Sequence, residues 1–338
     1  MTVRIGVIGT GIMGADHVRT LATNVSGARV TAVHDLDRAR AAEVVGGLAR
    51  GEIRVLDSAA ALVTDADVDA VLVASADPTH EELVLACLEA GKPVMCEKPL
   101  TPTPDGALRI IAAEVALGRR LTSVGFMRRY DPGYAAVKAT LRSGDVGAPL
   151  MLHCVHRNAS SPADTPSADL VTGSAVHEID AAHWLLGEEI SDVTVHRPRS
   201  SSRVVGGTSD PIFLVFRTAG GVLVDVEVFV NAAYGYDVRC ELVSETGTVT
   251  LDEPEHALHR GTGMRSTRVA TDWRDRFAEA YRRELQDWVA GVSEGEQRGA
   301  NAWDGYAATA VAAAGVEALE TDTPVKVALE PRPPLYER

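Results

Sequence analysis

The stretch Val3-Arg4-Ile5-Gly6-Val7-Ile8-Gly9-Thr10-Gly11-Ile12-Met13-Gly14 decides the fold. Its first six residues are mostly apolar and read as a buried strand. Three glycines spaced Gly-x-Gly-x-x-Gly then turn the chain into a helical pattern. The next apolar run, 29–34, ends in Asp35, 21 residues past Gly14. Gly-x-Gly-x-x-Gly by itself is common in a chain with 30 glycines. With a strand before it, a helix after it and an acid at the end of the next strand, it reads as a dinucleotide site. Orphan N–H groups at the helix N-terminus meet the pyrophosphate, and the carboxylate accepts the ribose hydroxyls. A carboxylate repels a 2′-phosphate, so NAD is expected over NADP. Arg38 is the counter-signal, because a nearby arginine can accommodate that phosphate. A surface turn followed by a helix-capping Asp is the plain alternative.

Working outward, short apolar runs at 3–8, 29–34, 70–74, 93–96 and 121–124 alternate with helical patterns at 12–24, 37–48, 79–90 and 103–117. Such alternation means βαβ units and a parallel sheet. Runs such as Val71-Leu72-Val73 are continuously apolar, as strands covered on both faces are. The pattern changes after Gly125. Asp131-Pro132-Gly133 starts a helix to about Ser143, 149–157 reads as a strand, and 174–186 as a helix. Strands follow at 190–197, 211–218, 221–230, 236–244 and 247–252, with turns such as Ala219-Gly220-Gly221 between them. Helices at 274–292 and 302–320 close the chain. The expected fold class is α/β: a first domain over 1–124, then an α+β domain over 125–338 with a large, mostly antiparallel sheet. Residues 198–209, rich in Ser, Arg and Gly, read as a mobile loop, and 158–173 shows no periodic pattern.

The composition fits two soluble globular domains. Apolar residues make up 46% of the 338 and charged residues 24%, both ordinary values. The net charge of −14 argues against nucleic acid, which needs clustered Lys and Arg. Cys87, Cys96, Cys154 and Cys240 show no paired spacing, so neither a zinc site nor a disulfide framework is expected, and a reducing, cytoplasmic setting is. No signal peptide precedes the first strand, and no run approaches the ~20 apolar residues of a membrane span.

Only four lysines occur in the chain, and Lys98 stands in Cys96-Glu97-Lys98-Pro99. It follows a buried strand at the carboxyl edge of the sheet, where ligands of open α/β folds bind. Oxidising a secondary alcohol needs a base for the hydroxyl proton while hydride leaves the carbon. A lysine serves when burial and a cationic nicotinamide push its pKa down. Pro99 fixes the turn, and a cis bond is allowed there. Downstream, His177, Asp180 and His183 follow helical spacing. His177 and Asp180 share a face, while His183 falls outside it. The His-Glu-x-x-His pattern of metalloproteases is absent. A lone histidine on such a helix is more often a packed core residue, and His177 gains weight only beside Lys98.

Together these residues resemble the Gfo/Idh/MocA oxidoreductases and, within them, the inositol 2-dehydrogenases. The likeness runs along the whole chain. It is carried by Gly6-Val7-Ile8-Gly9-Thr10-Gly11, Cys96-Glu97-Lys98-Pro99-Leu100, Val124-Gly125-Phe126-Met127-Arg128-Arg129-Tyr130-Asp131, His153-Cys154-Val155-His156-Arg157-Asn158, Val176-His177-Glu178-Ile179-Asp180, Tyr234-Gly235-Tyr236-Asp237 and Ala302-Trp303-Asp304-Gly305-Tyr306. The resemblance implies a Rossmann domain and an α+β domain whose open sheet packs in a homo-oligomer, usually a tetramer. It implies NAD held by Gly9, Gly11, Ile12, Met13, Gly14, Asp35, Ser75, Pro78, His80, Glu97 and Lys98. Lys98 and His177 are implied as the catalytic pair. Arg128, His156, Asn158, Asp180 and Tyr236 match positions that hold substrate hydroxyls. A polyol suits such a pocket, since each hydroxyl both donates and accepts.

One departure matters. The family usually carries an acid four positions before the catalytic histidine, and here that position is Gly173. Loss of an orienting carboxylate can cost orders of magnitude in rate. Asp180, Asp169 or a substrate group then takes over, or Lys98 carries the proton transfer alone. Gly173 also leaves space for an amino or methylated substituent. The expected reaction is NAD-dependent oxidation of a cyclitol ring hydroxyl, with myo-inositol as the plain substrate. An aminocyclitol or inosose dehydrogenase, a non-catalytic NAD(H) sensor, and a hydrolase using tightly held NAD without net redox are the alternatives.

Overall fold

A computed structural model describes residues 2–48, 53–204, 207–251 and 258–337. The chain divides into two compact units, one of Met1–Met127, Glu279–Thr309 and Glu330–Arg338, the other of Arg128–Ala278 and Ala310–Leu329.

In the first unit the elements are β1 (Val3–Ile8), α1 (Ile12–Thr23), β2 (Ala28–His34), α2 (Arg38–Gly46), β3 (Arg54–Val55), α3 (Ala59–Thr64), β4 (Ala70–Val73), α4 (His80–Glu89), β5 (Val94–Glu97), α5 (Pro104–Leu117) and β6 (Thr122–Gly125). Strands β3, β2, β1, β4, β5 and β6 lie side by side in that order, all parallel. The two-residue β15 (Ala300–Asn301) adds an antiparallel edge to β6. Strands β4 and β5 are buried at every position, which is why 70–73 and 94–96 read as apolar runs, with Glu97 closing β5. The core joins Val3, Ile5, Val7, Val18, Leu21 and Val33 to Leu285, Trp288 and Val289. Those last three lie on α9 (Trp273–Glu294). So a helix far along the chain completes this unit. Caps agree with the boundaries: Asp37, Ser58 and Thr103 each accept a backbone N–H at a helix start, and Gly118 ends α5 in the left-handed region at φ 67.

The second unit holds α6 (Pro132–Ser143), β7 (Pro149–Arg157), α7 (Ser167–Asp169), α8 (Val176–Leu186), β8 (Ile190–His196), β9 (Ile212–Thr218), β10 (Leu223–Phe229), β11 (Asp237–Ser244), β12 (Thr248–Leu251), a small hairpin of β13 (His259–Gly261) and β14 (Met264–Ser266), and β16 (Val325–Lys326). The helix α10 (Ala302–Thr321) has its first residues in the first unit and its last in the second. The large sheet runs β12-β11-β7-β10-β9-β8-β16. It is antiparallel except where β10 lies parallel to β7, Leu223 opposite Met151 and Phe229 opposite Arg157. Side chains alternate between a buried face and a half-buried one along β7 and β10.

The second sheet is mostly antiparallel, as expected; the parallel β10–β7 pair arises because β10 returns beside β7 while its hairpin partner β9 takes the other edge. The aperiodic stretch 158–173 ends in helix: α7 is followed by a π-helical turn at Leu170–Ala175 that runs into α8. The elements β3, α3, β13, β14, β15 and β16 carried no expectation. Of the segment 198–209, residues 205–206 lie outside the described residues, as does residue 252 of the strand expected at 247–252.

Candidate functional site

The first unit carries a cleft of about 480 Å³ along the carboxyl ends of its strands, lined by Gly9, Gly11, Asp35, Leu36, Arg40 and Ser75 among others. Gly9 sits at φ +90, and a Cβ there would meet the Ala74 carbonyl oxygen at 2.5 Å. A Cβ on Gly14 would come to 1.9 Å from the Gly9 carbonyl oxygen. The chain itself demands these two glycines. Gly11 is different: nothing lies within 4 Å of a Cβ built there, so its bareness serves whatever approaches from outside. Gly11 is also the N-cap of α1 and makes no side-chain cap, which leaves the first-turn N–H groups for an anion.

Asp35 stands at the end of β2 and is 8% exposed. Its Oδ2 accepts from Thr10 N at 2.7 Å and Thr10 Oγ1 at 2.9 Å. Its Oδ1 accepts from Asp37 N at 2.8 Å and Arg40 Nη2 at 2.6 Å. Burial pushes this carboxyl up, but the Arg40, Thr10 and Asp37 hydrogen bonds outweigh it and hold it down to about 2. It is therefore an ionised acceptor. Arg40 reaches it, and Arg38 does not: Arg38 pairs with Asp57 on the exposed surface. Asp37 caps α2, which turns the third helical residue back toward the strand end. A glycine-lined approach, a bare helix N-terminus and an ionised acid at the next strand end fit a dinucleotide. Ile12, 70% exposed, and the half-buried Met13 open α1. Exposed Pro78 lies in the 3₁₀ turn at Asp77–Thr79, and Ser75 Oγ meets Thr79 Oγ1 at 2.7 Å.

Lys98 follows β5 half-buried, and its bond to Pro99 is cis. Glu97 beside it is buried. Its Oε1 lies 2.7 Å from His17 Nε2 and its Oε2 accepts from Lys98 N at 3.2 Å. Burial raises the Glu97 carboxyl, but the His17 hydrogen bond and the charges of His17 and Lys98 leave it below the usual range. His80 is fully buried, with Nδ1 2.8 Å from the Pro99 carbonyl oxygen and Nε2 3.1 Å from that of Ser75. It joins the lysine turn to the loop after β4.

The second unit collects His156, His177, Tyr236 and Arg128. The His156 and His177 ring centroids are 6.3 Å apart, and those of His156 and Tyr236 6.2 Å. Arg128 is 1% exposed and donates through Nη1 to Glu178 Oε1. His156 Nδ1 lies 3.0 and 3.1 Å from the two Glu178 oxygens and 3.1 Å from Arg128 Nη2. One nitrogen cannot donate and accept at once. An ionised carboxylate only accepts, so Nδ1 carries the hydrogen and the Arg128 approach is a contact without a hydrogen bond. In the neutral form of the ring, Nε2 bears the lone pair. Burial raises the Glu178 carboxyl, yet Arg128 and His156 outweigh it and lower it overall. Burial also pushes the Tyr236 phenol up to about 12, so it stays a hydroxyl donor. Asp180 is tied by both oxygens to Arg129, at 3.0 and 2.6 Å. Asn158 keeps its N–H on the Phe229 carbonyl at 3.0 Å, and its buried Oδ1 has no partner among the described residues. Gly173 lies in the π turn, with nothing within 4 Å of a built Cβ, and Asp169 is exposed. His183 Nε2 pairs with Glu189 at 3.1 Å. Sequence reasoning missed Arg40, His17 and Glu178; helical phase after the Asp37 cap could have found Arg40, but nothing local marks the other two as partners.

Two family models match the chain. One, described as an oxidoreductase family with an NAD-binding Rossmann fold, covers residues 3–126. The other, the C-terminal alpha/beta domain of the same oxidoreductase family, covers 138–327. The chain belongs to the Gfo/Idh/MocA oxidoreductase family. Its first unit carries that family's NAD-binding Rossmann domain, and NAD is the cofactor. Among relatives, inositol 2-dehydrogenase 1 of Saccharopolyspora erythraea is 55% identical over 336 residues, 99% of either chain. Inositol 2-dehydrogenase of Serratia proteamaculans is 47% identical over 338 residues, 100% of either chain. Among solved structures, the myo-inositol dehydrogenase of Lactobacillus casei in complex with NAD(H) and myo-inositol has a TM-score of 0.95 at 36% identity, covering 100% of both chains.

Proposed function

We propose that this family member is an NAD-dependent dehydrogenase that oxidises a ring hydroxyl of a cyclitol, myo-inositol or a close analogue, to a ketone. The observation that carries the reading is the full-length likeness to inositol 2-dehydrogenases, above all the 55% identity over 99% of both chains. Bound at the glycine turn, NAD supplies the hydride acceptor. Gly9, Gly11, Ile12, Met13 and Gly14 hold its pyrophosphate side, Asp35 accepts from the ribose hydroxyls, and Ser75, Pro78, His80 and Glu97 shape the remaining edge.

Lys98 takes the hydroxyl proton as general base, and His177 polarises or relays it. His156 offers its Nε2 lone pair and Asn158 its unpartnered Oδ1 to ring hydroxyls, while Tyr236 donates. Arg128 acts from behind by holding Glu178 and through it His156, and Asp180 acts together with Arg129. Residues 1–124 then serve the cofactor and 125–338 the substrate and assembly as a homotetramer. No helix among the described residues is long and apolar enough to cross a membrane, and a cytoplasmic enzyme without nucleic-acid partners suits the net charge of −14.

The test is NAD reduction with myo-, scyllo- and chiro-inositol, glucose and an aminocyclitol, for the native protein and Lys98→Ala. Native turnover of a cyclitol is expected, with a loss of at least about 10²-fold in the variant and NAD binding retained. Near-native turnover by Lys98→Ala sinks the assignment of the base. A second reading rests on the open space at Gly173: turnover of the aminocyclitol alone would favour an enzyme for a substituted ring. NADH binding without turnover of any cyclitol would favour a non-catalytic sensor.

A further inference from the structure

Of the buried polar groups that the proposed mechanism leaves idle, the imidazole of His17 is the most consequential. It lies on α1, five residues into the helix that opens at Gly11, and its side chain is 1% exposed. Its Nε2 meets Glu97 Oε1 at 2.7 Å, while its Nδ1 has no partner among the described residues. The edge of the Tyr281 ring closes the pocket with centroids 5.8 Å apart. On the far side a Cβ at Gly125 would come within 3.2 Å of the Glu97 carboxylate. Glu97 is thus boxed between α1, α9 and β6, and it is the residue directly before Lys98.

An ionised carboxylate this deep needs a partner, and the partner decides where its charge acts. The groups that face Glu97 are few. From α1 comes His17, from the turn after β5 Lys98 itself, and from α9 the Tyr281 ring behind His17; β6 contributes Gly125, which has no side chain. On the α4 side, His80 is held by the Pro99 and Ser75 carbonyls. If His17 is taken away, the charge that still acts on Glu97 among the described residues is that of the Lys98 ammonium.

We propose that His17 is a positioning residue for Lys98: by holding Glu97 against α1 it keeps that carboxylate from pairing with the lysine that must act as base. The inference rests on the reading of Lys98 as general base. It also joins two parts of the site within one unit, since the helix that presents the dinucleotide N-terminus is the helix that restrains the lysine's neighbour.

The experiment is the pH profile of kcat/KM for cyclitol oxidation, with NAD affinity and thermal midpoint measured alongside, for His17→Ala, His17→Gln and Glu97→Gln. An opposite charge favours the charged form of a lysine. His17→Ala therefore moves the acid limb up by about one pH unit, about tenfold in rate on that limb. His17→Gln places a donor where Nε2 stands and returns the limb to within about threefold of native. Glu97→Gln removes the charge and moves the limb down, and it does so equally in the double variant with His17→Ala, as two residues acting through one group require. A limb that stays put or moves down in His17→Ala while the thermal midpoint falls would reduce His17 to a packing residue and overturn the proposal. Should His17→Ala not fold, Glu97→Gln alone decides: an unmoved limb overturns the proposal equally. The Lys98→Ala variant separates the two failures, because its retained turnover would remove the base, whereas its inactivity with an unmoved His17 limb would remove only the positioning role.

Discussion

At the scale of single residues, Asp35 shows how much of a site can be read before its surroundings are known. Its distance from Gly14 and its place after an apolar run mark it as the ribose acceptor. The sequence does not show that Thr10, Asp37 and Arg40 all converge on it, because Arg40 is aimed by a helix that begins at the Asp37 cap. The consequence is a sign. The folded carboxyl lies near 2, below the ~3.9 of an unfolded aspartate. Its contribution to stability is present above about pH 4 and fades as pH falls toward 2. NAD affinity should accordingly be flat from about pH 5 to 9 as far as Asp35 is concerned. Asp35→Asn keeps the shape and removes the charge; a charged hydrogen bond of ~1.5–3 kcal/mol is lost, so the NAD dissociation constant should rise about 10–100-fold while that for NADP falls. Unchanged NAD binding, read by fluorescence titration, would deny Asp35 its role. Arg128 gives the opposite lesson. Its motif was visible, but its complete burial against Glu178 was not, since a charge inside a core depends on a partner 50 residues away.

At the scale of elements, long apolar strands and capped helices were legible and short ones were not. Strand β4 announces itself through a continuous apolar run, β1 through a run interrupted by Arg4 and β5 through one closed by Glu97, while α5 shows as the helical pattern at 103–117. Strands β3, β15 and β16 have two residues each, too few to show any period, and they form only because a neighbour presents an open edge. The π turn before α8 breaks the 3.6-residue period in the same way, which hid the helical end of 158–173. The glycine turn at α1 can be taken apart experimentally, because its glycines have different reasons. Gly14→Ala drives a Cβ into the Gly9 carbonyl, so this variant should lose thermal stability even without cofactor. Gly11→Ala meets nothing in the protein and sits at an ordinary φ of −63. It should keep the native thermal midpoint and bind NAD at least about tenfold more weakly, as expected where bareness lets a pyrophosphate approach. Equal midpoints for the two variants, or native NAD affinity in Gly11→Ala, would contradict this division of labour.

At the scale of the whole molecule, both units are built from distant parts of the chain: α9 gives Leu285, Trp288 and Val289 to the first core, and β16 pairs with β8 of the second sheet. Amphipathic pattern predicts such helices but not which core receives them. The second sheet leaves a face whose side chains are only half-buried within one chain. Met151 and Val155 on β7, Phe213 and Val215 on β9 and Phe229 on β10 lie on it, beside the ion pairs His153–Asp225 and Arg157–Glu227. Apolar residues in such number on one sheet face suit a surface that another subunit covers, and the paired charges would fix its register. This favours the homotetramer proposed above. Light scattering should then give a mass near four times the 35.8 kDa of one chain. Val155→Asp would place a carboxylate at the middle of the face and should shift the mass to smaller species while leaving the thermal unfolding of the first unit in place. A native protein that scatters as a single chain at micromolar concentration would show that this face stays in water.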